Sequence, residues 1–261
     1  MNSAGLYKSF FLIQLKSMMQ HKASFFLTAI GQFLVSFNVF LGVFFMMDRF
    51  HEVKGFTYGE VLLCFSIMLM AFTIAETVFR SLDTFDSLIR NGEFDRILLR
   101  PRNSLFLVLC SKMELTRFGR LLQALVMFVY GLHSSSVNWT FFRGTAVVLM
   151  VVGGVAVFAA IYLIFASICF FTLEGLEFMN VFTDGAREYG KYPIGIYGKN
   201  LLTICTWIVP FALFQYYPLL YLTGKAHEVL YCLLPGAACL FLVPAVLLWR
   251  FGLKRYQSAG S

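Results

Sequence analysis

The stretch TAVVLMVVGGVAVFAAIYLIFASICFFT, residues Thr145 to Thr172, contains no charged side chain. A helix that crosses a membrane needs about 20 consecutive, mostly apolar residues, and this stretch is longer than that. The rest of the chain has the same character, with 59% hydrophobic and 13% charged residues. Soluble domains carry about 25% charged residues, so the composition predicts an integral membrane protein.

Five further apolar segments accompany this one and predict an all-α integral membrane protein with six transmembrane helices. The predicted spans are 24–47, 61–80, 118–139, 145–172, 200–224 and 229–250. The third span is the weakest, because Gln123, His133 and several serines dilute it. Residues 1–23 mix lysines with apolar side chains and predict an N-terminal helix in the membrane interface. The membrane domain is thus 24–250, followed by a tail at 251–261.

The basic residues predict how the protein is oriented. With six spans and both termini on one side, that side holds all but four of the 21 Lys and Arg residues, the exceptions being Arg49, Lys54, Arg143 and Lys225. Loops rich in Lys and Arg stay on the cytoplasmic side, so we expect a multi-pass protein of the plasma membrane with cytoplasmic termini. The net charge of +7 follows from this asymmetry and does not indicate a nucleic-acid partner.

The residue types that bind metals or phosphates form no complete motif in the sequence. The cysteines and histidines are scattered, so we expect no metal site and no cofactor in this chain. Gly185–Lys191 matches the first seven positions of the P-loop, G-x-x-x-x-G-K-[ST]. The eighth position is Tyr192, so the Ser or Thr hydroxyl that holds magnesium is missing. The sequence predicts that the chain by itself is not an enzyme.

Between the second and third spans lies SLDTFDSLIRNGEFDRILLRPRNS, Ser81 to Ser104, which is longer and more charged than a simple connector. Apolar residues fall on one face of a short helix and then on a second turn: Phe85, Leu88 and Ile89, followed by Phe94, Ile97 and Leu98. An interfacial helix resting on lipid headgroups is one interpretation. Anionic headgroups repel the four carboxylates of this segment, so the pattern favours docking with a protein.

Three features within the predicted spans are candidate functional or structural positions. Glu76 is an intramembrane carboxylate and therefore a candidate for a transport path. Arg80 follows four residues later, so a helix-end ion pair is the alternative. Pro210 removes a backbone donor and predicts a kink. The pair Gly153-Gly154 predicts a close helix contact, either within one subunit or between two.

Two motifs of the chain resemble the type-2 ATP-binding-cassette transporter permease family, in the branch that occurs beside daunorubicin-resistance-like ATPases. The first motif is NGEFDRILLRP, Asn91 to Pro101. The second is YPIGIY, Tyr192 to Tyr197, followed by IVPFA from Ile208 and YYP from Tyr216. With six spans and cytoplasmic termini, the resemblance covers essentially the whole chain.

The resemblance implies a dimer of six-span subunits, identical or related, on two cytoplasmic ATPase subunits that bind ATP and magnesium. In such families a coupling helix in the loop after the second span fits a groove of the ATPase. By position, this role falls on Asp83, Phe85, Leu88, Ile89, Asn91, Gly92, Glu93, Phe94, Asp95, Arg96, Leu98, Arg100 and Pro101. The N-terminal helix resembles the interfacial helix of the family.

The resemblance implies a permease subunit of an exporter, which moves an amphipathic or hydrophobic substrate across the cytoplasmic membrane. Its expected partners are the ATPase, a second permease subunit and membrane lipid, with no nucleic acid. The alternative is an ion- or proton-coupled secondary transporter that uses Glu76. A membrane-embedded enzyme would need clustered Asp, His or Glu near one interface, and the acidic residues cluster in the docking-like segment instead.

Overall fold

The protein is almost entirely helical in a computed structural model that describes residues 3–135, 137–172 and 180–257. The ends of the predicted N-terminal helix and tail, and residue 136 of the predicted third span, lie outside the described residues. The helices are α1 Ser3–Met18, α2 Lys22–Phe50, α3 Tyr58–Asp83, α4 Phe85–Arg90, α5 Glu93–Leu98, α6 Ser104–Ser111, α7 Phe118–Ser134, α8 Phe141–Thr172, α9 Asn180–Tyr189, α10 Lys199–Trp207, α11 Phe211–Phe214, α12 Tyr216–Leu222, α13 Leu230–Ala238 and α14 Leu242–Arg255. Two short strands, β1 Glu52–Val53 and β2 Phe56–Thr57, form an antiparallel hairpin between α2 and α3.

Helix α3 is the centre of the bundle, and its residues 59–73 are all buried. It packs against α7 on one side and α8 on another, while α2 covers α7 and the α13–α14 pair covers α8. The first turn of α3 is anchored by Glu60, whose carboxylate accepts a 2.8 Å hydrogen bond from the Thr57 backbone N–H. Such a bond satisfies a backbone donor that has no partner within the helix.

The two ends of the bundle are chemically different, and we name them for their contents. The hairpin end carries β1 and β2. The aromatic end carries a cluster of five rings, hereafter the aromatic cluster: Phe85, Phe94, Phe170, Trp249 and Tyr256. Helices α3 and α8, and the α13–α14 pair, each connect the two ends.

Four helical segments are long and apolar enough to cross a membrane: Gly5–Phe50, Tyr58–Arg90, Phe141–Thr172 and Leu230–Arg255. The pair formed by α10 and α11–α12 would be a fifth if it made one span. Helix α7 has 17 residues, slightly fewer than the roughly 20 that a crossing takes. The described residues thus form an all-α, multi-pass membrane protein, but helix length and composition alone do not give the six predicted spans.

The segment predicted as the N-terminal interfacial helix forms α1, which stands directly before α2. Helix α1 continues through the short 3-10 turn Met19–His21 into α2, and the segment Gly5–Phe50 has 46 residues. At 1.5 Å per residue such a helix is far longer than the roughly 30 Å hydrocarbon core. Part of it therefore lies outside the core. Its start packs near α6, where the Gln14 side chain donates a 2.8 Å hydrogen bond to the Cys110 carbonyl.

The small residues of α8 make contacts within the subunit. A Cβ atom at Gly153 would lie 2.7 Å from the Pro235 carbonyl oxygen, and one at Gly154 would lie 2.6 Å from the Ala71 Cβ. Both distances are shorter than real Cβ contacts. The glycines therefore let α13 and α3 approach α8 closely, which answers the question that the sequence left open.

The segment predicted as the fifth span, 200–224, does not form a straight helix. Its two halves are bent by 88°, and Pro210 lies at the break between α10 and α11. Before the bend, the Ile196 carbonyl accepts a 2.6 Å hydrogen bond from Lys54 of the hairpin. After the bend, Lys225 forms an ion pair with Glu60. Both flanks are thus tied to the hairpin end, so these contacts favour a re-entrant segment over a crossing.

This arrangement corrects the predicted distribution of basic residues. Lys199 follows the tie between Ile196 and Lys54, so it lies towards the hairpin end rather than with the termini. Arg187 and Lys191 contact the middle of the bundle. The asymmetry persists without these three residues, because the N-terminal segment, the 80–120 region and the tail still hold most of the Lys and Arg side chains.

Candidate functional site

The predicted docking segment folds as two short helices, α4 and α5, joined at Gly92. Gly92 has φ +68°, a left-handed backbone conformation that glycine adopts without steric cost. Helix α4 is closed by an ion pair between Arg90 and Asp86 at 2.6 Å. Helix α5 is tied to the chain's end, because the Tyr256 hydroxyl donates a 3.0 Å hydrogen bond to Asp95. The segment is therefore a fixed part of the aromatic end.

Three of the apolar residues predicted to contact a partner are instead part of the protein's own core. Phe85, Ile89 and Phe94 are fully buried. The Phe85 ring centroid lies 5.0 Å from that of Phe94 and 5.1 Å from those of Phe170 and Trp249. Rings at these distances are packed against one another, so these side chains anchor the segment and do not form its contact surface. This corrects the expectation from sequence.

The surface of the segment consists of other residues. Those predicted as docking residues that are exposed are Asn91, Glu93, Arg96, Leu98, Arg100 and Pro101. Asp83, Leu88, Gly92 and Asp95 are intermediate. Leu99, which sequence reasoning left out, is 86% exposed. We call Arg96–Pro101 the exposed turn, because it presents Leu98 and Leu99 between arginines.

Glu76 lies in a buried charge cluster that sequence reasoning did not foresee. Its carboxylate is 2.6 Å from Arg120 Nη1 and 3.0 Å from Arg117 Nη2, and its side chain is only 6% exposed. The other terminal nitrogen of Arg120 donates to Gln32 of α2 at 2.7 Å. These contacts join α2, α3 and the start of α7 at one point.

Arg80, the predicted partner of Glu76, is the most distant of the three arginines around it. Its Nη1 atom is 4.0 Å from Glu76 but 2.6 Å from Asp83. The spacing of four residues placed Arg80 on the correct helix face, yet Arg117 and Arg120 come closer from a neighbouring element. A contact between residues so far apart in the sequence leaves no local signal.

A second group of charges lies on α9 and just after it, which we call the α9 charged face: Asp184, Arg187, Glu188 and Lys191. Arg187 lies within 3.5 Å of both acidic residues, and Lys191 pairs with Glu188. The Glu188 side chain is 50% exposed. Three of these residues line a small crevice with residues 35–39 of α2 and 65–69 of α3. Those are the middle parts of both helices, so the charged face lies halfway along the bundle.

The ring of Phe72 stands between the two groups of charges. The guanidinium carbon of Arg120 lies 5.8 Å from the ring centroid, and that of Arg187 lies 5.5 Å from it. Both distances are within the range of attractive cation–π contacts. Phe72 therefore connects the buried Glu76 cluster with the half-exposed α9 charged face.

The partial P-loop match has no phosphate-binding geometry. Gly185 and the residues up to Tyr189 belong to the helix α9, whereas a P-loop needs an open loop of backbone N–H groups. Among the described residues there is also no group of three His, Cys, Asp or Glu side chains that could hold a metal ion.

One comparison with known proteins gave a match. A family model described as "ABC-2 family transporter protein" matches residues 33–260. A search of the curated proteins and a search of the solved structures each gave no match. The matched region begins within α2 and includes the exposed turn, the Glu76 cluster and the α9 charged face.

Proposed function

The chain belongs to the ABC-2 family of transporter proteins, and from that premise we propose that it is the permease subunit of an exporter driven by a separate ATPase. As a membrane component it supplies the route through the bilayer, and its partner supplies the energy. The observation that carries the proposal is the α9 charged face, because lipid cannot cover it.

Charged side chains in the middle of a bilayer face protein, water or a pathway, because exposing them to lipid is costly. Asp184 and Glu188 are half exposed at mid-bundle depth, although each is paired with Arg187. The neighbouring surface of α2 is apolar, with exposed Leu34 and Val35. A wall that is charged on one helix and apolar on the next suits an amphipathic substrate. We propose that this wall lines the path between two copies of the subunit.

Thiol labelling tests the proposed path. A Glu188→Cys variant, with Cys239 replaced by Ser, should react with a positively charged, membrane-impermeant methanethiosulfonate reagent in sealed vesicles. Val243→Cys is the matched control, because Val243 is 54% exposed on α14, which we place against lipid. We expect at least a tenfold faster reaction at position 188. Equal rates at the two positions would contradict a hydrated path along α9.

The exposed turn is the surface that we propose docks with the ATPase. Its two leucines protrude from an element whose base is fixed by the aromatic cluster. A movement of the turn that the ATPase causes would therefore be transmitted to α8 and α14. Apolar side chains surrounded by arginines resemble the buried centre and polar rim of a transient protein interface. The proposed coupling therefore depends on Leu98 and Leu99 for contact and on Phe85 and Phe94 for rigidity.

Co-purification tests the docking surface. The double variant Leu98→Asp/Leu99→Asp should lose at least nine-tenths of the ATPase that co-purifies with the wild-type chain, because two charges replace the apolar centre of the contact. Its melting temperature should stay within about 3 °C of the wild type, since surface substitutions usually cost little. Ser17→Asp/Gln20→Asp, at exposed polar positions before the first predicted span, adds the same charge and is the control for nonspecific effects. Undiminished ATPase binding in the Leu98/Leu99 variant would rule out this surface.

The finer features of the proposal follow from the same contacts. Helix α7 runs beside α3 from Arg120, next to Glu76, to Ser134, next to Gly59, so we propose that it crosses the membrane. The fifth crossing is then made by residues 180–197 and not by 200–224. Six crossings place both termini at the aromatic end. The excess of basic residues there makes it the cytoplasmic end.

The alternative of an ion- or proton-coupled transporter receives less support. A coupling carboxylate must be reached by its ion, whereas both oxygens of Glu76 are engaged by arginines and the side chain is buried. The contacts of Glu76 are those of a structural tie between helices.

A further inference from the structure

A cleft of about 360 Å³ at the aromatic end borders the exposed turn and has no part in the proposed path. It lies between residues 98–105 and one face of α14. Two arginines, Arg102 and Arg250, line its two walls together with Ser104. Its apolar lining includes Leu105, Val246 and Leu253.

We propose that this cleft binds the headgroup of an anionic phospholipid. A guanidinium group offers a planar set of N–H donors that matches phosphate oxygens. Two such groups on opposite walls of one cleft hold a phosphodiester more tightly than either would alone. The three aliphatic side chains contact the first methylene groups of the acyl chains. Basic pockets between helices on the cytoplasmic side are known sites for anionic headgroups.

The position of the cleft fits a lipid better than a soluble anion. Trp249 lines the cleft and also belongs to the aromatic cluster, and tryptophan is enriched where the hydrocarbon core meets water. The last turn of α14 adds Lys254 and Arg255, which attract the anionic surface of the inner leaflet. The cleft therefore opens at the depth where phospholipid headgroups lie.

A bound lipid would act on the exposed turn, because Leu98 belongs to both the turn and the lining of the cleft. Binding would hold residues 98–105 against α14 and so fix the angle at which the turn meets its partner. Lipid binding rests on the membrane location included in the proposed function and does not need the ATPase. Its effect on the turn does rest on the docking proposal.

The first experiment measures retained lipid on the purified full chain. In native mass spectra from mixed phosphatidylglycerol and phosphatidylcholine nanodiscs, we expect the wild type to keep phosphatidylglycerol preferentially. Arg102→Gln/Arg250→Gln should reduce that retention at least tenfold. Lys254→Gln/Arg255→Gln removes the same charge from the same end of the protein, outside the cleft lining, and should reduce it less than twofold. Equal losses in the two double variants would overturn the site in favour of general surface attraction.

A second measurement separates the possible occupants. Phosphatidylglycerol should raise the melting temperature of the wild type by several degrees, and glycerol 3-phosphate at the same concentration should not. Equal stabilisation by glycerol 3-phosphate would overturn the assignment to a lipid. If the Arg102/Arg250 variant loses ATPase co-purification while its lipid retention is unchanged, the cleft takes an acidic side chain of the ATPase and the proposal fails. A Leu99→Asp variant changes the turn outside the cleft lining and tests docking separately, so failure of either proposal can be recognised.

Discussion

Replacing Glu76 by alanine is expected to lower the free energy of unfolding by about 3–5 kcal/mol, the typical cost of removing one partner from a buried ion pair. The loss leaves the guanidinium groups of Arg117 and Arg120 near each other without their shared carboxylate. Chemical or thermal unfolding of the purified chain in detergent measures this decrease in the free energy of unfolding. The effect should be among the largest of any single charge removal, because the cluster joins α2, α3 and α7.

A second variant distinguishes a structural role of Glu76, which separates the charges of Arg117 and Arg120, from a coupling role of Glu76 in transport. Glu76→Gln/Arg120→Gln removes both charges of the 2.6 Å pair and should be more stable than Glu76→Gln alone by at least about 1 kcal/mol, as expected for coupled residues. It should also retain transport with the ATPase present. Transport abolished in a stably folded double variant would restore Glu76 as a coupling carboxylate and contradict its structural role.

Replacing Phe94 by alanine is expected to lower the free energy of unfolding by about 3–5 kcal/mol, the usual cost of truncating a buried phenylalanine. Four other rings surround the space that the side chain fills, and they belong to α4, α8, α14 and the tail. Leu99→Ala, five residues along the chain, should change stability by less than about 0.5 kcal/mol because the side chain is exposed. Unfolding of both variants under the same conditions gives the comparison.

The same pair of variants separates anchoring from contact. Leu99→Ala should weaken ATPase co-purification while leaving the fold intact, whereas Phe94→Ala should weaken it only to the extent that the protein unfolds. A conservative Phe94→Leu variant should recover most of the stability and all of the ATPase binding. If Leu99→Ala binds normally and Phe94→Leu does not, the roles assigned to the two residues are reversed.

Much of the architecture is readable from composition and periodicity. The charge-free stretch from Thr145 to Thr172 predicts α8 because a long apolar run has few folded alternatives. The resemblance of Asn91–Pro101 and Tyr192–Tyr197 to the ATP-binding-cassette permeases is confirmed by the family match. The Asn91-Gly92 stop is found between α4 and α5. These features are local, so the sequence shows them directly.

Features that depend on contacts between distant segments were missed. Nothing near Phe94 in the sequence shows that Trp249 and Tyr256 will cover it, so the amphipathic pattern predicts a docking face although its apolar side packs inward. Arg117 and Arg120 reach Glu76 from another helix, and only Arg80 shared its local spacing. Pro210 predicts a kink, but not a bend of 88° between flanks that contact Lys54 and Glu60. In each case the partner is more than 35 residues away.

The ties at Lys54 and Lys225 have a consequence for reading the topology of this chain from hydropathy. If residues 199–222 enter and leave the membrane at the same end, this apolar segment does not cross the membrane. The fifth crossing is then made by residues 180–197, whose charged side chains give no hydropathy peak. In that case a hydropathy profile gives the same number of crossings, but it assigns the fifth crossing to residues 200–224 instead of residues 180–197. An epitope tag at position 198 would expose the difference, since it should be reached from the same side as a tag at His227.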